Sequence, residues 1–259
     1  MQTDLLVSRD AAIATVTLNR PTKRNALTRA MWADLGTTLT TLSADEDLRC
    51  VVLRGAGGEA FAAGADIAEF ATTRNSHEQA REYGALIEAA MHAVAHCRHP
   101  TIALIEGLCV GGGLEIAAMC DLRICGTSSR FGIPINALGL TMAYGELAGL
   151  LGLVGRAVAL ELLLEGRIIN ASEAYSKGLV NRVVADDAVA SESYATAQRI
   201  AAGAPLVARW HKQYIERLTV QANISATERD AAYACFDTAD YQAGVAAFVE
   251  KKKPVFTGH

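Results

Sequence analysis

The order of strand and helix patterns along the 259-residue chain constrains its fold more than any other feature. Over roughly the first 185 residues, short apolar runs typical of buried strands alternate with segments of helical spacing, whereas after about residue 187 only helical patterns follow. Strands separated by helices favour parallel pairing, because the intervening helix returns the chain to the same end of the sheet. We therefore predict an α/β core over residues 1–187 and a helical C-terminal region over residues 188–259.

Individual elements are marked by apolar periodicity and by residues that start or stop a helix. Ser76 followed by Gln79 predicts a helix start, and His99-Pro100 predicts its end. The predicted strands are residues 12–18, 50–53, 101–105, 122–125 and 179–184. The predicted helices are residues 28–42, the segment from Ser76 to His99, the stretch up to Met119, and residues 155–165, 171–177, 188–202, 205–218, 225–236 and 241–252. Residues 55–66 show no regular period, and residues 131–134 are predicted to form a loop.

Charge and composition exclude several classes of protein. The formal net charge of −4 and a pI near 5.9 give no basic surface of the kind that binds nucleic acid. The most apolar stretch, residues 147–154, is far shorter than the ~18–20 residues of a spanning helix, and the N-terminus lacks the pattern of a secretory signal. The six cysteines include no C-x-x-C pair, so we expect buried reduced thiols and no metal site. We therefore expect a cytoplasmic protein without a membrane or nucleic-acid partner.

One glycine motif matches a dinucleotide-binding loop, but its context argues against that function. Residues 55–60, Gly-Ala-Gly-Gly-Glu-Ala, follow a predicted strand and fit the loose G-x-G-x-x-[GA] pattern. In a dinucleotide site the motif opens a helix, whereas residues 59–66 contain no amphipathic helical turn. We predict that this segment does not bind a dinucleotide.

Two other segments rich in glycine and alanine are better candidates for a catalytic site. Residues 61–67 and 109–115 leave backbone N–H groups uncovered and let a ligand approach closely. The second segment leads into a helix, whose N-terminal amides stabilise negative charge. Two amides from different segments would form an oxyanion hole for a thioester carbonyl, with tight helix–strand packing as the structural alternative.

Six segments, by their shared order and spacing, carry a family resemblance. They are residues 19–27, 61–67, 105–115, 131–134, 174–180 and 244–252. With these segments the chain resembles the crotonases, the enoyl-CoA hydratase/isomerase superfamily, over essentially its whole length. The resemblance implies an α/β spiral of strand–strand–helix turns with a C-terminal helical trimerisation region. It also implies homotrimers that pair into hexamers, and an acyl-CoA substrate with no cofactor other than the coenzyme A of that substrate.

The resemblance further implies roles for particular residues. The amides of Ala65 and Gly112 would bind the thioester oxygen, and Glu115 would move a proton, with a structural capping glutamate as the alternative. Lys251 would reach coenzyme A from a neighbouring subunit, with a solvated helix end as the alternative. The other residues expected to contact coenzyme A or the acyl group are Lys23, Arg24, Ala26, Ala63, Asp66, Ile67, Gly111, Ile135 and Tyr144.

One position departs from the hydratases of the family. Those enzymes carry two glutamates that position and activate water. The first matches Glu115, but the second, directly after Phe-Gly-x-Pro, is Ile135 here. A paired acid and base is then not built in the usual way, which argues against hydration. Asn136, Tyr144 and Glu146 are candidate replacements, with an exposed or structural role as the alternative for each.

We therefore expect an acyl-CoA-processing enzyme of the hydratase/isomerase type. It would stabilise a thioester enolate at Ala65 and Gly112, with Glu115 as acid and base. The alternatives are an acyl-CoA decarboxylase or thioester hydrolase of the same fold, in which Ile135 lines an apolar pocket. A third alternative is a non-catalytic acyl-CoA-binding oligomer.

Overall fold

Two β-sheets organise the computed structural model, which describes residues 3–220 and 223–259. The strands are β1 (Leu5–Asp10), β2 (Ile13–Leu18), β3 (Cys50–Gly55), β4 (Ala60–Ala62), β5 (Thr101–Ile105), β6 (Leu108–Val110), β7 (Leu122–Gly126), β8 (Arg130–Gly132), β9 (Ile169–Asn170) and β10 (Arg182–Val184). The larger sheet has the order β1-β2-β3-β5-β7-β10, and the smaller sheet has the order β4-β6-β8-β9. β1 and β9 pair antiparallel to their neighbours, and all other pairs are parallel.

Helices follow the strand pairs and then continue alone to the C-terminus. They are α1 (Arg29–Ala44), α2 (Phe70–Thr73), α3 (His77–Ala95), α4 (Gly112–Met119), α5 (Tyr144–Glu165), α6 (Ala171–Ser176), α7 (Val189–Ala201), α8 (Pro205–Val220), α9 (Ala226–Ala231) and α10 (Ala239–Val249). Each of the pairs β3–β4, β5–β6 and β7–β8 contributes one strand to each sheet before the next helix. This repetition confirms the predicted α/β spiral of strand–strand–helix turns.

The apolar faces predicted for the first two long helices form the centre of the core. Thr28 caps α1 by accepting a hydrogen bond from the Met31 amide at 3.2 Å, and Ser76 caps α3 by accepting one from the Gln79 amide at 3.2 Å. The Gln79 side chain accepts from the Asn75 amide instead of the Ser76 amide, so only half of the predicted capping box forms. The buried side chains of these faces are Met31, Trp32, Leu35, Leu39, Tyr83, Ile87, Met91 and Val94.

A second layer of core lies on the other face of the larger sheet. There Val189 and Ala197 of α7 pack against a group that includes Ile102 and Ile124. The first helix of the predicted C-terminal region therefore packs on the sheet, and α8, α9 and α10 follow it.

Several short elements differ from the sequence prediction. The irregular segment after residue 55 contains β4, the predicted loop at residues 131–134 begins within β8, and the predicted strand 179–184 is reduced to β10. β4, β6, β8 and β10 have three residues each, which is too short to show a period of two. β1 was not predicted either, because it is an edge strand whose side chains are mostly exposed.

One of the described helices, α5, has the length and hydropathy of a membrane span. Its most apolar 18-residue window has a mean hydropathy of 1.9, and 17% of that window is buried inside the protein. Gly155, with φ 73° and ψ 171°, is not helical and divides α5 into residues 144–154 and 156–165. Each part is shorter than the ~20 residues that cross a bilayer, so α5 gives only weak support for a membrane role.

Candidate active site

A cavity of about 130 Å³ lies where α4 faces the segments that precede α2 and α5. Both of the small-residue segments singled out in the sequence reach it. Its walls also carry two carboxylates, Glu115 and Glu146, and one guanidinium, Arg74. The members of the small-residue segments that line it are Ala63, Gly64, Ala65, Ile67, Val110, Gly111, Gly112 and Glu115.

Two backbone amides, those of Ala65 and Gly112, lie close together in this cavity. A Cβ atom on Gly112 would stand 3.7 Å from the Ala65 nitrogen, and one on Gly64 would stand 3.3 Å from the Gly112 nitrogen. Neither amide donates a hydrogen bond within the described part of the chain. Gly112 begins α4, so its amide also lies at the positive end of the helix dipole. This pair can stabilise a negative oxygen, as an oxyanion hole requires.

Local backbone geometry keeps these amides uncovered. The Leu27 amide donates to the Gly64 carbonyl at 2.8 Å, and the Asp66 amide donates to the Leu27 carbonyl at 2.8 Å. Ala65 lies between Gly64 and Asp66, and its own amide remains unused. Gly64 has φ 93°, a conformation that favours glycine. A Cβ on Gly112 would stand 2.8 Å from Cζ2 of Trp32, so there is no room for a side chain at position 112 without a shift of this indole.

Glu115 lies in the first turn of α4 and is only 7% exposed. Its carboxylate accepts no hydrogen bond from the described residues, which does not support the capping alternative. Burial raises its pKa to about 8, with a further contribution from the Glu146 carboxylate, while Arg74 acts in the opposite direction. At neutral pH this group therefore mostly holds its proton.

Glu146 brings a second carboxylate to the cavity from the start of α5. Its Oε2 accepts a hydrogen bond from the Ala143 amide at 2.8 Å, which fixes the side chain at the helix N-terminus. Burial raises the pKa of Glu146, and this hydrogen bond and the charge of Arg74 oppose the rise. Ile135 lines the same cavity, so the carboxylate absent at that position is supplied eleven residues later in the chain.

The other two candidate replacements for the lost glutamate do not line the cavity. Asn136 donates from Nδ2 to the Leu164 carbonyl at 3.0 Å, and its Oδ1 accepts from the Ala137 amide at 2.8 Å, so its role is structural. Tyr144 is 93% exposed and does not line the cavity, so the described chain does not support the predicted contact of Tyr144 with the substrate. Of the three candidate replacements for the glutamate absent at position 135, only Glu146 lines the cavity.

The residues predicted to bind coenzyme A form one continuous region, apart from Lys251. The Ala63 amide donates to the Arg24 carbonyl at 2.9 Å, and Arg20 bridges the two segments by donating to Ala26 O and to Asp66 at 2.9 Å. Lys23 and Arg24 are exposed, and neither has an ion pair in the described residues. Lys251 follows α10 outside the cavity lining.

Two residues that support this region were given no role in the sequence analysis, although Asn25 stands within the segment 19–27 that carries the family resemblance. Asn25 is buried with φ 57°, accepts from the Arg20 amide at 3.0 Å and donates to the Ala60 carbonyl at 2.7 Å. It thereby holds the turn that presents Lys23. Arg74 follows α2, where its guanidinium lies 4.8 Å from the Phe70 ring centroid. The only sequence signal for it is an arginine four residues after an aromatic side chain on a short helix.

Comparisons with known proteins agree on one family. The model of the enoyl-CoA hydratase/isomerase family matches residues 8–259. A protein of Mycobacterium bovis named "Probable enoyl-CoA hydratase" is 37% identical over 98% of this chain and 97% of its own. A short-chain-enoyl-CoA hydratase of Clostridium acetobutylicum is 34% identical over 96% of each chain.

Solved structures give the same result for the fold. A crystal structure described as an enoyl-CoA hydratase/carnithine racemase from Magnetospirillum magneticum superposes with a TM-score of 0.97 at 52% sequence identity. That superposition covers 100% of this chain and 97% of the crystallised one.

Proposed function

Because the chain belongs to the enoyl-CoA hydratase/isomerase family, we propose that it adds water across the 2,3 double bond of a short enoyl-CoA thioester. The observation that carries this proposal is the presence of two glutamates, Glu115 and Glu146, beside two free amides in one cavity. Ile135 alone argued against hydration. A second carboxylate in the same cavity, together with relatives named for hydration, favours it.

The amides of Ala65 and Gly112 would hold the thioester oxygen. Water addition at C3 passes negative charge to that oxygen as an enolate, and a pair of fixed donors lowers the barrier because they do not need to reorganise. One such donor contributes on the order of 3–4 kcal/mol to transition-state stabilisation in acyl-transfer enzymes. The helix dipole of α4 acts in the same direction.

The two glutamates would divide the acid and base roles according to their surroundings. Glu146 accepts a backbone hydrogen bond, which favours its ionised form, so it would orient the water and take one of its protons. Glu115, with its pKa raised to about 8, would give its proton to C2 of the enolate. The hydroxyl then resides on C3, and a proton moves from Glu146 back to Glu115 through solvent to complete the cycle. The same two groups would also move a proton between C2 and C4, which is isomerisation.

Coenzyme A would enter over the region formed by residues 20–26 and 63–67. Lys23 and Arg24 are exposed and unpaired there among the described residues, so they are suited to the phosphates of the cofactor part of the substrate. The cavity volume of about 130 Å³ suits a short acyl group.

We also propose that the chain forms homotrimers that stack into hexamers. Large apolar side chains remain exposed on α5 and on the C-terminal helices, among them Leu164 at 72%, Ile215 at 65% and Phe248 at 85%. Exposed apolar patches of this kind mark interfaces. A neighbouring subunit would bring Lys251 to coenzyme A. Light scattering should give three or six times the 27.4 kDa of one chain, and a monomer would contradict the proposal.

Mass spectrometry on a panel of coenzyme A esters in D2O tests the reaction class. Saturated, enoyl and malonyl-type esters report α-deuterium exchange, hydration and decarboxylation respectively, and release of free coenzyme A reports hydrolysis. We expect crotonyl-CoA to gain one water, with deuterium at C2. Decarboxylation or hydrolysis without hydration would replace this function by one of the alternatives, and binding with no reaction would indicate a non-catalytic protein.

A further inference from the structure

Arg74 places a positive charge in a wall of the cavity that is otherwise largely apolar. Its neighbours in that wall include Ile67, Phe70 and Leu138. The guanidinium carbon lies 4.8 Å from the centroid of Phe70 and 5.0 Å from that of Tyr83, so two aromatic rings hold it in place. Within the described residues, no carboxylate lies within the 4.0 Å of an ion pair with it, and its guanidinium makes no hydrogen bond.

The Arg74 guanidinium is half-buried at the cavity wall and has no anionic partner within the described residues. Its planar group is shaped to donate two parallel hydrogen bonds to a carboxylate. Glu115 and Glu146 influence Arg74 only through space, since neither pairs with it. The missing partner is therefore to be sought in the ligand.

We propose that Arg74 binds a carboxylate at the far end of the acyl group, so that the preferred substrate is the enoyl-CoA ester of a dicarboxylic acid. This substrate class rests on the proposed enoyl-CoA chemistry. Arg74 and Glu115 line the same cavity, so a carboxylate on Arg74 and a double bond beside Glu115 fit one short acyl chain. In this arrangement Arg74 selects the substrate and does not take part in proton transfer.

The charge balance of the cavity permits an anionic ligand. Glu115 mostly holds its proton at neutral pH, so the free cavity contains one carboxylate, Glu146, and one cation, Arg74. The charge of Arg74 then offsets the repulsion between a second anion and Glu146.

A competing explanation is that Arg74 binds no ligand and only lowers the pKa values of Glu115 and Glu146. In that case its loss would affect neutral and anionic substrates equally. The ratio between two matched ligands, one with and one without a terminal carboxylate, therefore separates the two explanations.

Calorimetric titration with two unreactive esters, glutaryl-CoA and butyryl-CoA, measures this preference without catalysis. We expect the wild-type protein to bind glutaryl-CoA about 10- to 100-fold more tightly, as hydrogen bonds to charged groups allow. Arg74→Met should abolish the preference, and Arg74→Lys should retain part of it because the charge remains. Arg81→Met, at an exposed position on α3, is the matched control and should keep the full preference.

Initial rates with glutaconyl-CoA and crotonyl-CoA measure the same preference in turnover. These esters differ only in the carboxylate that glutaconyl-CoA carries on C4, and we expect Arg74→Met to lower the ratio of their kcat/KM values by about 100-fold. Equal binding of the two saturated esters by the wild type, or a ratio unchanged by Arg74→Met, overturns the carboxylate site. If the wild type prefers glutaryl-CoA but hydrates neither enoyl ester, the carboxylate site stands and the proposed hydration is wrong.

Discussion

At the scale of single residues, Glu115 and Glu146 share one cavity but experience different surroundings. Glu115 lies within buried helix α4 without a hydrogen-bond partner among the described residues, whereas Glu146 is held by the Ala143 amide. Two carboxyl groups whose surroundings separate their pKa values can act as acid and base at the same pH. The proposed roles of both residues depend on this difference.

Replacing Glu115 should separate activity from stability. We expect Glu115→Gln to lower kcat for hydration by about 10²–10⁴-fold, since it removes a positioned proton donor. The same change should raise the free energy of unfolding at pH 7 by about 1–3 kcal/mol, because it removes a buried group that resists ionisation. Steady-state kinetics and urea unfolding measure the two effects, and unchanged affinity for coenzyme A is the control. Loss of both activity and stability would mean that Glu115 is structural.

The pH dependence of the reaction follows from the same pair. Because the pKa of Glu115 is raised to about 8 and this residue must carry a proton, kcat/KM should fall as pH rises through 8. It should also fall on the acid side, where Glu146 becomes protonated. A pH profile from 5 to 10 with crotonyl-CoA checks this, and a rate that is still rising at pH 9 would exclude Glu115 as the acid.

Part of this site was predictable from the sequence, and part was not. Ala65, Gly112 and Glu115 stand in motifs, because close backbone approach demands small residues in a fixed order. Glu146 remained one of three candidates, since the sequence does not show which way the chain turns after Ile135. Arg74 stands in no motif, and its place depends on packing against aromatic rings from two elements.

At the scale of elements, α5 connects the site to the packing of the core. It begins two residues before Glu146 and is interrupted at Gly155. Residues with a Cβ atom rarely adopt a backbone conformation with φ 73° and ψ 171°, so the interruption of α5 depends on glycine at position 155.

Alanine substitutions at two glycines of α5 should have opposite effects. Gly155→Ala should destabilise the protein by about 1–3 kcal/mol through its backbone conformation alone, because no atom lies within 4 Å of the added Cβ. Gly152→Ala, whose added Cβ is equally free but whose backbone is helical, should stabilise it by about 0.5–1 kcal/mol. Denaturant unfolding of both variants checks this, and equal effects would mean that the interruption is not fixed by Gly155.

Long elements were more predictable than short ones for a physical reason. α1 and α3 bury a full apolar stripe, which repeats several times in the sequence and is capped by Thr28 and Ser76. β4, β6 and β8 contain three residues each, and only pairing with one another makes them strands. The existence of the smaller sheet therefore follows from the spiral and not from the local sequence.

At the scale of the whole molecule, the C-terminal helices meet the core around one buried histidine. His99 is 1% exposed, and neither ring nitrogen has a hydrogen-bond partner of good geometry in the described chain. Its backbone carbonyl accepts a hydrogen bond from Lys212 of α8 at 3.1 Å. Burial, with the charges of Arg209 and Arg98, lowers the pKa of His99 to about 4.

This histidine should make the fold sensitive to acid. The unfolded state gains a proton near pH 6.5, whereas the folded state resists protonation until about pH 4, so stability is complete above pH 6.5 and falls between these values. The loss attributable to His99 should reach on the order of 3 kcal/mol. Urea unfolding at pH 7.5 and pH 4.5 measures it, and His99→Phe should reduce the difference while His77→Gln, at an exposed position, should not. An equal pH dependence in His99→Phe would assign acid sensitivity to other groups.

The most direct test of the two-glutamate site is the rate of crotonyl-CoA hydration in Glu146→Gln. We expect kcat to fall about 100-fold or more. Adding Ile135→Glu to this variant restores a carboxylate at the position used by the family's hydratases, and it should raise kcat about tenfold above that of Glu146→Gln alone. Glu78→Gln, which removes an exposed carboxylate of α3 outside the cavity, is the matched control and should hydrate at the wild-type rate. A Glu146→Gln variant within twofold of the wild type would contradict a catalytic role for this carboxylate.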